Sequence, residues 1–390
     1  MDNKKVKVLV LGGGIGGLVA SSLLKDRLKE DVDLRLIERK TTFDFPPSYP
    51  WLMLGMRKKE QVQKNLDLLR KKKKIEVLND EVLSIDVQAK SVLAKNHGTL
   101  SFDYLVIALG ARYSPESIPG FSEYAHHIYD LESALKFKET VETFEGGTIA
   151  IGISRTPFKC PAAPYETALL LDDYYSKKGM RDKIRFEFFT PESIPVPAVG
   201  PDVGNKVLGL LTSRGINYHP KVKVKEIKPK EISFEASSEV ISYDLLFCVP
   251  PHAAPKPVVE AGLTDETGWI PVNPLTLETK HSGIYAVGDV TSIKTPDGYV
   301  PFLPKAGVFA HGQAEVVANN LANEISGKSI KKKEWDGKGA CFLEVGKGQS
   351  AFVKGAFLAK PKPEIEFHMP GKVWHMQKVA FEKYWMHHWF

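Results

Sequence analysis

Short apolar runs separated by helical or polar stretches recur along the chain. Three of them, Val6–Leu11, Phe102–Gly110 and Gly283–Asp289, are typical of buried strands in a parallel sheet. The third run lies far along the sequence from the other two, although it has the same character. We therefore predict an α/β fold in which one sheet-forming domain is interrupted by an insertion.

The insertion has its own alternation of strands and helices. Strands are predicted over Gly147–Ile153 and Ile184–Phe189, and helices over Glu166–Lys178 and Asp202–Ser213. This pattern indicates a second α/β domain built on the same plan as the first.

The first strand leads into a glycine turn with the spacing of a dinucleotide-binding site. Gly12, Gly14 and Gly17 precede a helix predicted over Leu18–Leu24, and the next strand ends at Glu38. The glycines allow a tight turn and a close approach of backbone N–H groups to a pyrophosphate, while the acidic residue accepts hydrogen bonds from a ribose. Both domains are therefore predicted to be Rossmann-like, and the first to bind a dinucleotide.

The corresponding turn of the second domain lacks most of these glycines. Of the glycine pattern only Gly152 remains, and Pro157 removes a backbone N–H donor from the loop. A loop with few free N–H groups binds a pyrophosphate poorly, so we predict that the second domain has no NAD(P)H site.

Composition and charge narrow the class of protein. The 390 residues are 43% hydrophobic, and 53 Lys and Arg against 47 Asp and Glu give a net charge of +6. Such a chain is neither disordered nor a nucleic-acid binder by composition, but the charge suits an anionic membrane surface. No apolar run approaches the roughly 18 residues of a spanning helix, and Met1–Lys7 is polar, so no signal peptide is predicted.

Four segments carry a resemblance to a known family. Phe158–Glu166, with the sequence FKCPAAPYE, resembles the active-site cysteine segment of sulfide:quinone oxidoreductases and flavocytochrome c sulfide dehydrogenases. Pro304–Ala310, Gly339–Phe342 and Lys378–Trp385 continue the likeness. The glycine turn, DYLVIALGA and GIYAVGDV resemble the flavin-binding segments of the larger group of flavoproteins with two dinucleotide-binding domains.

The resemblance implies a non-covalent FAD and a division of the chain into three parts. Residues 1–112 and 268–325 would form the FAD-binding domain, 113–267 the degenerate second domain, and 326–390 a quinone- and membrane-facing region. Beyond the glycine turn and Glu38, the implied cofactor-binding residues are Gly110, Gly288, Asp289 and Lys305. Lys305 is expected at the start of a helix over Ala306–Ala322, where its charge would favour the reduced flavin.

The same resemblance implies a sulfur reaction between two distant cysteines. Cys160 and Cys341 would form a disulfide or polysulfide bridge beside the flavin, which hydrosulfide attacks, and Glu166 would accept a proton. The third cysteine, Cys248, lies in an apolar strand and is interpreted as a core residue. No metal site is predicted.

Two residues depart from the family pattern. Tyr129 stands where many quinone-linked members have a third cysteine, and Ser133 where some have histidine. A three-cysteine sulfur relay therefore cannot operate unchanged in this chain, and the substrate stays open at this point.

The C-terminal segment Lys372–Phe390 is predicted to be an aromatic, amphipathic helix. At helical spacing Trp374, Phe381, Trp385 and Trp389 share a face. Such a face suits peripheral contact with a membrane, expected on its cytoplasmic side, and the alternatives are packing on the body of the protein or in a dimer. Phe342 and Phe381 are the candidate quinone contacts, and a homo-oligomer is left open.

Three other functions stay under consideration. A sulfide dehydrogenase flavoprotein would pass its electrons to a cytochrome or another protein, and a type II NADH:quinone dehydrogenase would use NADH. A degenerate flavin-binding sensor or scaffold would have no turnover. The leading hypothesis is an FAD enzyme that oxidises hydrosulfide and passes the electrons to a membrane quinone.

Overall fold

The computed structural model describes residues 5–296 and 300–390, so residues 1–4 of the polar N-terminal stretch lie outside it. The helices are α1 Ile15–Leu28, α2 Tyr49–Leu52, α3 Lys59–Val62, α4 Asp67–Lys73, α5 Phe121–Tyr124, α6 Leu131–Thr143, α7 Ala163–Lys177, α8 Pro201–Thr212, α9 Lys256–Glu260, α10 Gly307–Ile325 and α11 Lys372–His388.

The strands are short and numerous. In chain order they are β1 Val6–Leu11, β2 Val32–Glu38, β3 Thr42–Asp44, β4 Gln63–Asn65, β5 Glu76–Asn79, β6 Val82–Asp86, β7 Ser91–Ala94, β8 Gly98–Ser101, β9 Tyr104–Ile107, β10 Arg112–Tyr113, β11 Gly147–Ile153, β12 Ile184–Phe189, β13 Ile216–His219, β14 Val224–Lys228, β15 Glu231–Phe234, β16 Val240–Ser242, β17 Leu245–Val249, β18 His252–Ala253, β19 Ile270–Pro271, β20 Ile284–Ala286, β21 Thr291–Ser292, β22 Lys338–Gly346, β23 Gln349–Ala356 and β24 Glu364–Gly371.

The first sheet takes strands from both sides of the insertion. Its order is β20-β9-β1-β2-β5 and all its pairs are parallel. Tyr285 of β20 pairs with Val106 of β9, which in turn pairs with Val10 of β1. The predicted α/β class with an interrupted first domain is therefore confirmed, while the exact limits of the three parts stay a prediction.

The insertion forms a second parallel sheet of order β13-β12-β11-β17. Helix α7 packs on this sheet through an almost wholly buried sequence, and β22 of the C-terminal region lies against the same helix. The predicted cysteine segment Phe158–Glu166 covers the end of the loop after β11 and the first turn of α7.

The C-terminal region is more than a helix. It contains a three-stranded antiparallel sheet, β22-β23-β24, which the hydrophobic pattern did not predict, followed by α11. The turn between β22 and β23 has Gly346 and Gly348 at positive φ, 82° and 65°, which is the conformation that favours glycine.

The orientation predicted for the C-terminal aromatic residues was wrong in part. Trp385 and Trp389 are buried in the core of the first domain, and Trp385 stacks on Phe43 at 4.9 Å between ring centroids. Phe381 is 43% exposed although its ring lies 6.1 Å from that of Phe45, which Trp385 also contacts, so it lies at the edge of the buried face. Among the described residues, no helix is both long and apolar enough to cross a membrane.

Candidate active site

The two predicted redox cysteines are held by different elements. Cys160 lies in the loop before α7 at a φ of +54°, a conformation that few residues other than glycine adopt. Its N–H donates to the Lys305 carbonyl oxygen at 2.8 Å. Cys341 lies on β22 opposite Val353 of β23, and both thiols are free in this structure.

Glu166, in the first turn of α7, is close enough to both thiols to influence their ionisation. Desolvation raises the pKa of Cys160, and the charges of Cys341 and Glu166 raise it further. The pKa of Cys341 is raised, first by desolvation of the thiol and then by Glu166, although the residue as a whole is exposed. The structure therefore brings the three predicted catalytic residues to one place, although 181 positions separate the cysteines.

Glu166 does not stand alone. It is 3% exposed, and its Oε1 accepts hydrogen bonds from Lys378 Nζ at 2.5 Å and from the Glu344 backbone N–H at 2.9 Å. Burial raises the pKa of Glu166, while Lys378 acts in the opposite direction. The carboxylate is therefore stabilised by a buried cation, Lys378.

Sequence reasoning missed this cation. Lys378 was not among the predicted site residues, and although it is a lysine of the amphipathic C-terminal helix it is only 5% exposed. Lys378, Glu382 and Trp385 follow the i, i+4, i+7 spacing of one helix face. Had Trp385 been assigned to the core, the same periodicity would have placed Lys378 there too.

An open, apolar cleft of about 720 Å³ adjoins Cys341. Cys341 and Phe342 line one side of it and the α8 valines, including Val203, line the other. A smaller cavity of about 230 Å³ contains Gly288 and Lys305, and the two cavities share Pro304, Ala306 and Phe309. Phe381, the second candidate quinone contact, is not among the residues that line the cleft.

The glycine turn after β1 is as tight as predicted. A Cβ on Gly17 would lie 1.8 Å from the Gly12 carbonyl oxygen, and Gly12 itself has a φ of +96°. At Gly14 a Cβ would meet nothing within 4 Å, so the turn faces open space there. Glu38 closes over the turn, because its Oε2 accepts the Gly13 N–H at 2.6 Å. This is the geometry of a nucleotide-binding turn.

A comparison with known families now decides the class of protein. The family model described as pyridine nucleotide-disulphide oxidoreductase matches residues 6–156 and 166–314, well over half of the chain. The chain belongs to the pyridine nucleotide-disulphide oxidoreductase family. The resemblance predicted from the sequence motifs is therefore confirmed, and the protein is an oxidoreductase.

Individual members of the family extend the comparison. The chain is 29% identical to a sulfide-quinone reductase of Aquifex aeolicus, over 97% of this chain and 90% of that protein. It is 25% identical to the mitochondrial sulfide:quinone oxidoreductase of Mus musculus, over 93% of this chain and 80% of that protein. The crystal structure of the Aquifex aeolicus sulfide:quinone oxidoreductase is similar with a TM-score of 0.89 at 28% identity, covering 98% of this chain and 90% of that one.

As a pyridine nucleotide-disulphide oxidoreductase the chain uses FAD, and its residues fit that cofactor. The turn at Gly14 has room for a pyrophosphate, and the Glu38 carboxylate beside it has the acceptor chemistry for a ribose. Gly110 follows β9 at a φ of +65°, with open space at its Cβ position. The roles of these residues stay predictions.

Lys305 lies just before helix α10, which begins at Gly307, close to the predicted start. Its buried side chain donates to the carbonyl oxygens of Asp289 at 2.6 Å and Thr291 at 3.1 Å, and its role towards the flavin stays a prediction. Its ammonium group also lies 3.4 Å from the centroid of the Trp269 ring. Burial lowers the pKa of Lys305 to about 7, and Asp289 opposes that shift.

Two other positions singled out in the sequence are buried. Cys248 is fully buried in the strand β17, as interpreted from its apolar neighbours. Tyr129, at the position of the missing third cysteine, is also buried, and its hydroxyl has no partner among the described residues. Burial and then the charge of Cys160 raise the pKa of Tyr129, so the phenol stays protonated beside the thiol.

Proposed function

We propose that this oxidoreductase oxidises hydrosulfide and passes the electrons through FAD to a quinone. The observation that supports it most is the convergence of Cys160, Cys341 and Glu166 beside an apolar cleft. The relatives of Aquifex aeolicus and Mus musculus, whose names state this activity, support the same assignment.

The two cysteines supply the sulfur chemistry. In the oxidised enzyme a sulfur bridge joins Cys160 and Cys341, and hydrosulfide attacks one bridge sulfur, leaving a persulfide on one cysteine and a thiolate on the other. When the bridge closes again with the added sulfur between them, one proton and two electrons are released. Bound FAD supplies the acceptor for those two electrons.

Glu166 is the group that accepts the proton. Its negative charge raises the pKa of both thiols, so a proton that moves from a thiol to Glu166 also removes the charge that opposes the thiolate. Lys378 keeps the carboxylate ionised before that transfer, because it donates directly to Oε1.

The apolar cleft is the quinone site in this proposal. Its lining is almost wholly apolar, as suits a flat, apolar ligand, and Phe342 offers a ring next to Cys341. The 326–390 region contributes β22 and β23 to the cleft, which supports its role as the quinone-facing part of the chain.

NADH is disfavoured as the electron donor by the second domain. At the end of β11 the Arg155 guanidinium donates to the Ser154 carbonyl oxygen at 2.9 Å and to the Glu235 carboxylate at 2.8 Å. The ring of Phe189 occupies the space beside Gly152, where a Cβ would lie 2.1 Å from the ring. These side chains fill the carboxyl end of the sheet, where a second dinucleotide would bind.

Anaerobic mixing with either donor tests the proposal. Sulfide is expected to bleach the flavin absorbance of the purified holoenzyme within seconds, and NADH is expected to leave it unchanged. Subsequent addition of decylubiquinone should restore the oxidised spectrum. Bleaching by NADH alone would contradict the proposal and favour a type II NADH dehydrogenase, and reoxidation by a cytochrome but not by the quinone would favour the sulfide dehydrogenase alternative.

A membrane surface is the proposed location, on its cytoplasmic side. Helix α11 exposes an apolar stripe that shares only Phe381 with the predicted face. It contains Val373, Met376, Phe381 and Tyr384, of which Met376 and Tyr384 are 61% and 60% exposed. Lys372 and Lys383 are exposed on the same helix. Exposed apolar side chains with cations on the same helix suit the interface of an anionic bilayer.

Charge substitutions in this stripe should weaken membrane binding. The double variant Met376→Glu/Tyr384→Glu is expected to lower the fraction of holoenzyme that sediments with anionic liposomes by about fivefold or more, because it removes apolar contact and adds repulsion. The matched control is Val240→Glu/Val259→Glu, two exposed apolar residues on other elements. Equal loss of sedimentation in both variants would show that net charge, not α11, determines binding.

A further inference from the structure

Four rings pack together where β10 pairs with β18. Tyr113 and His252 lie opposite each other in this pair of strands, and their ring centroids are 5.1 Å apart. Tyr129 meets both rings edge-on, at 6.4 Å from Tyr113 and 5.4 Å from His252. His127 lies 5.7 Å from Tyr113 and completes the group. These four residues form the ring cluster.

Two buried polar atoms of the ring cluster have no hydrogen-bond partner among the described residues. They are the hydroxyl of Tyr129, a residue that is only 4% exposed, and Nε2 of His252. Because an unpaired buried polar atom is unfavourable, such an atom normally binds an ordered water or a ligand. The ring cluster therefore has unused capacity to hold a small polar molecule.

The two unpaired atoms have opposite hydrogen-bonding roles. Nδ1 of His252 lies 2.7 Å from the Pro250 carbonyl oxygen, so Nδ1 carries the ring proton and Nε2 is left as an acceptor. Burial lowers the pKa of His252 to about 3, which keeps the ring neutral. Burial raises the pKa of Tyr129, so the phenol keeps its proton and is a donor. A molecule that satisfies both atoms must accept one hydrogen bond and donate another.

A cation connects the ring cluster to the cysteine loop. The Lys159 ammonium lies 4.9 Å from the centroid of the Tyr113 ring, and Lys159 directly precedes Cys160 in the chain. The Tyr113 hydroxyl in turn donates to the Tyr129 carbonyl oxygen at 2.5 Å. Of all the charges that act on Tyr129, that of Cys160 has the largest effect on its pKa. The unpaired phenol therefore lies beside a cysteine that the proposed reaction uses.

Hydrosulfide matches the ring cluster in charge, size and hydrogen bonding. The charges with the largest effect on the pKa of His252 are those of Lys159 and Lys305, so an anion is stabilised next to this ring. Hydrosulfide has a single heavy atom and needs little more room than an ordered water. Its sulfur can accept a hydrogen bond from the Tyr129 hydroxyl, and its S–H can donate to Nε2 of His252.

We propose that Tyr129 and His252 form a subsite that binds hydrosulfide before it attacks the sulfur bridge. The inference rests on the proposed function. It gives Tyr129, which stands where many members of the family have a third cysteine, the role of a hydrogen-bond donor to the substrate. Hydrosulfide keeps its proton and its charge at this subsite, and covalent chemistry begins only at the bridge.

The dependence of flavin bleaching on sulfide concentration tests the subsite. In the Tyr129→Phe holoenzyme, the sulfide concentration that gives half of the limiting rate should rise by about tenfold or more, because a hydrogen bond to a charged ligand is lost. The limiting rate should stay within about twofold, since neither cysteine is altered. The variant should fold normally, because it removes a hydroxyl that has no partner among the described residues.

Tyr218→Phe is the matched control. The Tyr218 hydroxyl is also buried and without a partner in the described part of the chain, but its ring stacks on Phe188 outside the ring cluster. This variant should keep both the limiting rate and the half-saturating concentration of the unaltered protein. An unchanged half-saturating concentration in Tyr129→Phe would overturn the subsite and leave an ordered water only on the phenol. Absence of bleaching in the unaltered holoenzyme would overturn the proposed function, and the subsite with it.

Discussion

Cys160→Ser and Cys341→Ser are each expected to abolish reduction of the bound FAD by sulfide, lowering its rate by about a thousandfold or more. Each cysteine is one end of the bridge that hydrosulfide attacks in the proposed reaction, and a serine hydroxyl neither forms a sulfur–sulfur bond nor leaves as a thiolate. Stopped-flow measurement of the flavin absorbance under anaerobic sulfide gives the rate directly.

Cys248→Ser is the matched control for these two variants. Cys248 is fully buried and away from the cleft, so its substitution should leave the rate within about twofold, although it costs some packing. All three variants should retain FAD, as measured by the ratio of flavin to protein absorbance. Full-rate reduction of either Cys160→Ser or Cys341→Ser would contradict the bridge reaction and leave only direct reduction of the flavin by sulfide.

The parts of the fold that could be predicted are those determined by neighbouring residues, such as continuous apolar runs and the glycine turn. Val6–Leu11 is a strand with the predicted bounds, and the glycine turn after it requires Gly12 and Gly17 because their backbones nearly touch. The interruption of the first domain was also predictable, since Ile284–Ala286 has the same continuous apolar character as the strands it joins. A parallel strand that is buried on both faces is a continuous apolar run wherever it occurs in the sequence, so it can be predicted even when it lies far from its partner strands.

The C-terminal helix shows why burial is harder to predict than helix formation. The periodicity of Lys372–His388 predicts a helix, but several of its faces contain aromatic residues. Which face is buried depends on Phe43 and Phe45, which lie more than 300 positions earlier and pack against Trp385. Only the tertiary structure shows that Phe381 and Tyr384 face outwards while Lys378 faces inwards.

Part of the candidate active site could be predicted from the sequence, whereas the lysine that pairs with Glu166 could not. Family resemblance pointed to Cys160, Cys341 and Glu166, which the structure brings together. The cation that pairs with Glu166 comes from a residue 212 positions later, and no local pattern links the two. The hydrogen-bond partners of Lys305 were not predicted for a similar reason, because they are two backbone carbonyl oxygens of another loop.

Lys378→Met is expected to destabilise the holoenzyme by about 3–5 kcal/mol at pH 8, because it leaves Glu166 buried without its cation. Methionine has a similar length and no charge, so packing changes little. Burial already raises the pKa of Glu166, and removal of Lys378 raises it further. The loss of stability arises at a pH where Glu166 is ionised in the unfolded chain but ionises only at a cost in the folded protein. The loss should therefore shrink as the pH falls through the raised pKa of Glu166 towards 5. Urea titrations across this pH range measure it.

The double variant Glu166→Gln/Lys378→Met removes both charges and is the control for this prediction. Replacing both members of a buried ion pair by neutral groups costs less than breaking it, so the double variant should regain most of the lost stability at pH 8. Its free energy of unfolding, relative to the unaltered protein, should also vary less with pH than that of Lys378→Met. If the single and double variants were equally unstable at every pH, the loss would come from packing around Trp51, and the ion pair would contribute little.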